Sequence, residues 1–380
     1  MNEIVMDTVM RGKLIESFKK VPDFRVLGRV NHTLIDILVI SVLAVISGRE
    51  DWDEIADYGV MKEEWLRTFL ELKNGIPSHD TFNRVFQLLD AEAWEKAFRE
   101  WIINAFDKDL GNLISIDGKT SIGSKDGKLG KRAIHMVSAF ASEQELLLGQ
   151  VATDEKSNEI TAIPALLEDL DITDCLVTID AMGCQTEIAE KIIDGGGDYF
   201  LAVKKNQKHL YENIEWLFKY AASEDDLQQA FETFDAQHGR FDTRQCSVLS
   251  YDGFLEKKAW KGLSHIVKVY RESENPHTGK ISKDTRYYIT SQTSCTPKSA
   301  LTASRSHWGI ENHLHWALDV TFNEDASRTR LGHAARNLGL LRRIALMLLK
   351  RVEAPKLSIK RKQFKALMDN DFALEVLKTI

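Results

Sequence analysis

The 380-residue chain is 43% hydrophobic and 28% charged with a formal net charge of -7, the balance of a soluble globular protein with room for two domains. That charge excludes a protein that coats nucleic acid along its whole surface, and four scattered cysteines, Cys175, Cys184, Cys246 and Cys295, exclude a disulfide framework. The longest apolar stretch, Leu34 to Ile46, is interrupted by Asp36 and falls short of the ~18 to 20 residues of a membrane span.

In chain order, residues 1 to 108 read as an all-helical domain. Apolar residues recur at three-to-four spacing in Leu34 to Ile46, Trp52 to Leu72 and Thr81 to Leu89. Ser78 follows the turn Gly75-Ile76-Pro77 and is placed to cap a helix that includes Arg84. A helix, a turn and a capped helix fit a helix-turn-helix reader of DNA ends as well as they fit plain helical packing. The first residues carry no basic n-region followed by an apolar h-region, so a cytoplasmic location is expected.

From about residue 113 the pattern changes to strands, at Leu113 to Ile116, Ala133 to Phe140 and Leu146 to Thr153. A helix carrying Leu166, Leu167 and Leu170 follows, with Pro164 expected in its first turn. Then come a strand ending at Asp180, a helix from Thr186 to Ile193 closed by Gly195-Gly196-Gly197, and a strand from Tyr199 to Val203. Three strands followed by αβαβ is the element order of an α/β, ribonuclease-H-like core. Residues 208 to 290 interrupt it, with strand signals at Val248 to Tyr251, Ala259 to Trp260, Ile266 to Tyr270 and Arg286 to Thr290 and a turn at Asn275 to Gly279. Trp260 and Tyr270 could stack on an unpaired base, although aromatics in strands are more often core. Residues 351 to 380 read as a basic helical tail. From Lys298 to Lys365 there are 14 Lys or Arg against 5 Asp or Glu, while acids gather in Glu50 to Glu71 and Glu212 to Asp235, so one face could bind DNA locally.

Three acids carry the chemistry. Asp117 and Asp180 each end an apolar run, and ligands of open α/β sheets bind beyond the carboxyl ends of the strands. Glu311 lies in a helical segment, His307 to Trp316, that could cross the sheet and complete a cage of hard oxygen donors suited to Mg2+ or Mn2+. His307, Glu311 and His315 recur every four residues, a stripe that can also be read as a zinc site. Against zinc, the middle residue of the stripe is the acid itself. Asp154, Glu155, Glu159, Asp319, Glu324 and Asp325 are further acids whose ordinary roles are caps, ion pairs or support, with Asp319 two helical turns from Glu311 and able to face the same crevice.

The segments Ile116 to Thr120, His135 to Phe140, Thr153 to Ile160, Asp180 to Gln185, Gly197 to Tyr199, Ala202 to Gln207 and His307 to Glu311, running into Leu318-Asp319-Val320, occur in one order. With Pro22 to Arg25 and Gly75 to Thr81 upstream, the chain resembles the DDE transposases of bacterial insertion sequences, most closely the H-repeat-associated group of the insertion-sequence-four-like superfamily, over roughly residues 20 to 370. The resemblance implies a catalytic domain at 109 to 350 with a mainly β insertion at about 208 to 290. It also implies metal-dependent cleavage at transposon ends and strand transfer into target DNA, by two divalent ions held by Asp117, Asp180 and Glu311. Mg2+ is the implied metal, with Mn2+ able to substitute. The implied partners are double-stranded DNA, as terminal inverted repeats and as target, and a second copy of the chain when ends are synapsed. No membrane is involved, and the place of action is the bacterial nucleoid. Lys119, Lys204, Lys205, His307, His315 and Arg84 are the candidate DNA contacts. The broader superfamily pattern has a Tyr, an Arg and a Lys where this chain has Ser304, His307 and Leu318, a departure that agrees with the H-repeat group. The alternative readings are an inactive or domesticated relative that only binds DNA, and a ribonuclease-H-like nuclease without joining activity.

Overall fold

A computed structural model describes residues 12–106, 111–126, 130, 132–153, 159–221, 231–237, 239–251 and 260–379. The first part of the chain is helical: α1 (Lys13–Lys19), α2 (Leu34–Ile46), α3 (Trp52–Met61), α4 (Glu63–Leu66), α5 (His79–Leu88) and α6 (Ala91–Phe106). Every residue of α2 except Ile35 is buried, including Asp36, whose burial raises its carboxyl above the usual range. Thr33 starts this helix by accepting the Asp36 N–H at 3.1 Å, and Ser78 starts α5 by accepting the Thr81 N–H at 3.4 Å, as the sequence placed it.

Nine strands form one mixed sheet in the order β3-β2-β1-β4-β5-β9-β8-β7-β6. They are β1 (Leu113–Ser121), β2 (Ile134–Ala141), β3 (Leu146–Ala152), β4 (Leu176–Ile179), β5 (Asp198–Val203), β6 (Phe231–Gln237), β7 (Arg240–Ser250), β8 (His265–Asn275) and β9 (Lys280–Thr290). The first three are antiparallel neighbours, while β1, β4 and β5 run parallel. Helices α7 (Glu159–Glu168) and α8 (Thr186–Asp194) make the crossovers that parallel pairing requires. Strands β6 to β9 fall within residues 208 to 290 and continue the same sheet because β9 pairs antiparallel with β5.

After α9 (Lys208–Trp216) and strands β6 to β9, the long helix begins as α10 (Pro297–Gly309); Thr296 and Ser299 close a capping box at the start of α10, with Pro297 in its first turn. It then passes through a π-helical segment, Ile310–His315, and resumes as α11 (Trp316–Val320). This helix packs on β1 and β4. The last helices, α12 (Ala334–Arg351), α13 (Ile359–Met368) and α14 (Asn370–Lys378), turn back and pack on α2, which explains why α2 is apolar all round. The C-terminal segment is thus built into the helical layer: Phe372, Val376 and Leu377 are buried and the Lys362 ammonium donates to the carbonyls of Leu349 and Val352.

Several elements differ from the sequence expectation. Strand β1 runs four residues past Asp117, to Ser121. Pro164 lies in the middle of α7, not in its first turn. Trp260 sits in a bend and is buried, so it is not open for stacking; Ala259, Asp154 and Glu155 lie outside the described residues. Strand β6 had no clear apolar signal because Glu232, Thr233, Asp235 and Gln237 break up its apolar residues; it packs against α10.

Candidate active site

The three acids are brought together by strand register and by one helix. On the parallel pair, Ile116 lies opposite Ile179, so Asp117 and Asp180 are the next residues on neighbouring strands, which run about 4.8 Å apart. Asp117 stands within β1, and Asp180 directly follows β4. The Asp180 Oδ1 accepts the N–H groups of Met182 at 2.8 Å and Gly183 at 3.3 Å, which fixes that carboxylate at the turn. Glu311 comes from the π-helical segment, which touches β1. Segments of this kind are frequent at functional sites because the widened turn re-aims a side chain.

The acids feel one another. Burial pushes the Asp117 carboxyl up to about 7; its bond from the Gly118 N–H opposes this, and the charges of Glu311, Asp180 and Glu159 add to it. Glu311 is raised as well, first by burial and then by Asp180, against the lowering pull of Arg286 and Lys204. Burial dominates both shifts and the neighbouring like charges add to it; a bound cation would oppose both. Among the described residues, no three His, Cys, Asp or Glu side chains stand close enough to enclose an ion as they are. The donor set, three carboxylates, fits a hard divalent cation in kind.

Both histidines of the stripe turn into the fold. His307 Nδ1 lies 3.2 Å from the Thr178 hydroxyl, and burial lowers its imidazole to about 4. His315 Nδ1 lies 3.5 Å from Asp117 Oδ2; burial, with Arg343 and Lys119 near, lowers it to about 3. Both rings are neutral at physiological pH, so neither offers a phosphate a positive charge. They do not converge on one ion, and the zinc reading loses its ligand pair.

Lys119, expected at the surface, is 7% exposed and held by Asp319 at 2.7 Å, Asp325 at 3.3 Å and Glu324 at 3.8 Å. Its ammonium is committed to the fold and not free for DNA. Lys204 and Lys205 are exposed beyond the end of β5, and Lys204 acts electrostatically on both Glu311 and His307. Arg84 is exposed on α5, far along the chain from the acids, beside a cleft lined by Arg25, Arg29 and His32.

Three contributors were not singled out from the sequence. Arg286, on β9, stacks its guanidinium 4.8 Å from the Trp308 ring and lowers Glu311. Asn206 donates to the Ala181 carbonyl at 2.6 Å and Gln207 to the Cys184 carbonyl at 2.8 Å, bracing the loop after Asp180. The motif Lys204 to Gln207 was the available signal for the last two. Nothing local marks Arg286, which the antiparallel β5–β9 pairing carries to the site.

The profile described as "Transposase DDE domain" matches residues 89–348, and one described as "DDE_Tnp_1-associated" matches residues 15–102. The chain belongs to the DDE transposase family. It is 42% identical to "Putative transposase YncI" of Escherichia coli O157:H7, over 96% of this chain and 94% of that protein. It is 39% identical to "H repeat-associated putative transposase YhhI" of Escherichia coli strain K12, over 96% and 97% of the two chains, which places it in the H-repeat-associated group. Among solved structures, a piggyBac transposase synaptic complex with hairpin DNA aligns over 98% of this chain and 80% of its own at 11% identity and a TM-score of 0.42, too distant to carry an argument.

Proposed function

We propose that this chain is an active insertion-sequence transposase that nicks DNA at the terminal inverted repeats of its element and joins the freed 3′ end to target DNA. The convergence of Asp117, Asp180 and Glu311 carries this reading: neighbouring parallel strands and a helix bring three carboxylates into one cleft, where Glu311 and Asp180 help raise Asp117 and Asp180 helps raise Glu311. On this reading β1 to β5 with their helices are a ribonuclease-H-like catalytic core, and the strands β6 to β9 are its insertion.

Asp117, Asp180 and Glu311 would hold divalent cation, Mg2+ or Mn2+. When bound, the cation supplies activation of the attacking oxygen, from water or a 3′-hydroxyl, and stabilisation of the leaving 3′ oxygen. The chain's own part is placement. The Met182 and Gly183 N–H groups aim Asp180, and Asn206 and Gln207 keep that loop from moving. Lys204 and Arg286 set two cations beside the acids, suited to the phosphates flanking the scissile bond. Lys205 extends that edge, and Arg84 on the helical layer is suited to more distant phosphates of the DNA end. The duplex is the substrate, a second copy of the chain holds the other end, and the setting is the bacterial nucleoid.

Full-length protein is expected to nick DNA carrying the element's ends in Mg2+ or Mn2+, and Asp117→Ala, Asp180→Ala and Glu311→Ala to lower the rate by about a hundredfold or more each, with DNA binding kept. Retained nicking in all three would sink the assignment. DNA binding without nicking in the unaltered protein would favour the immobile relative instead. Nicking without insertion of a precut 3′-hydroxyl end into plasmid DNA would favour a plain nuclease.

A further inference from the structure

Four residues at four-residue steps, His307, Glu311, His315 and Asp319, run along the helix face that meets the sheet. Three of them touch it: His307 at Thr178 of β4, His315 at Asp117 of β1, and Asp319 at Lys119 of β1. Glu311 has no hydrogen bond or ion pair among the described residues, so its place depends on how its helix is held.

Lys119 lies two positions beyond Asp117 and therefore on the same face of β1. A lysine this buried is tolerated only with counter-charges around it. Asp319 supplies one from the Glu311 helix, 2.7 Å away. Asp325 and Glu324 supply the others from the loop beyond that helix, where Asp325 Oδ1 also accepts the Ile122 N–H at 3.2 Å and Glu324 Oε1 meets Arg343 at 2.8 Å. The helix is π-wound from Ile310 to His315 and α-helical from Trp316, so the ion pair at Asp319 ties the stretch beyond the π segment to β1.

We propose that Lys119 and Asp319 form a positioning pair, which locks the Glu311 helix to the strand of Asp117 and so sets the third acid against the other two. The inference rests on the reading of those three acids as one site. Neither Lys119 nor Asp319 touches DNA or metal in this role.

The test compares two carboxylates that both hold Lys119 but sit on different elements. Asp319→Asn, at a side chain 36% exposed, and Asp325→Asn are prepared as full-length proteins. Mn2+ binding is counted from the free-ion electron paramagnetic resonance signal, alongside melting temperature and metal-free DNA binding. Asp319→Asn is expected to weaken Mn2+ binding about tenfold while metal-free DNA binding holds, and Asp325→Asn to leave Mn2+ binding within about twofold. Asp319→Glu keeps both charges but lengthens the bridge by one methylene, and should fall between wild type and Asp319→Asn. Equal losses in the two asparagine variants, no loss in Asp319→Asn, or wild-type affinity in Asp319→Glu would each overturn the positioning role. If Asp319→Asn does not fold, the glutamate variant decides alone. Undiminished Mn2+ binding in Asp117→Ala would instead overturn the underlying assignment of the site.

Discussion

Asp117, Asp180 and Glu311 share their cleft with one another, whereas Asp319, Glu324 and Asp325, a few residues further along the chain from Glu311, share theirs with Lys119 and Arg343. The contrast shows in the acids' own proton affinities. Asp117 and Glu311 are raised; Glu324, fully buried, is lowered because Arg343, Arg342 and Lys119 outweigh its burial. Carboxylates with built-in cations hold the fold together. On the proposed reading, those facing each other across a cleft await a cation brought from outside.

The largest effect that would sharpen this comparison lies in the paired group. Arg343→Met removes the nearest cation from buried Glu324, leaving only Lys119 at 3.8 Å and Arg342 to offset it, and should destabilise the protein by about 3 kcal/mol in urea unfolding. Glu311→Gln should cost almost nothing in the same experiment, since it removes a charge that no side chain among the described residues pairs. Equal losses from the two would erase the distinction.

A smaller effect concerns the histidines between the two groups. His307 and His315 are held neutral, with folded values of about 4 and about 3 against an ordinary 6.5. The unfolded chain therefore binds more protons than the folded one as pH falls below about 6.5, so stability should decline from there toward pH 4. Replacing both with asparagine should flatten that acid limb in a series of melting curves. An unchanged limb would show that other groups set it.

Much of the fold around the candidate site was legible in sequence, for reasons that particular residues make plain. Asp117 and Asp180 follow short apolar runs, and parallel pairing then makes them neighbours. Ser78 and the glycines after α8 announce helix ends through local chemistry. Lys119 was misread because burial of a lysine depends on acids some two hundred residues away, which no local pattern reveals. The same holds for Arg286, placed by the β5–β9 pairing, and for β1, whose extension through Gly118-Lys119-Thr120 is fixed by pairing with β2 and not by its own apolarity. Gly118 could have drawn attention: a Cβ there would meet Glu159 Oε1 at 2.1 Å and His135 Nε2 at 2.4 Å, and those two groups bond each other at 2.7 Å on the far face of the strand. The π-helical turn at Glu311 has no counterpart in residue type and was invisible beforehand.

The central claim, that the triad holds unpaired like charges awaiting a cation, is tested most directly by melting wild type and Asp117→Asn at pH 8, with and without Mg2+. At that pH the folded Asp117, with a value of about 7, is ionised at a cost the unfolded chain does not bear, because a raised acid loses stability as pH rises from about 4 through 7. The account predicts that Asp117→Asn melts higher than wild type without metal, and that Mg2+ raises the melting temperature of wild type but not of the variant. A metal-free variant that melts lower than wild type, together with an equal Mg2+ shift in both proteins, would contradict it.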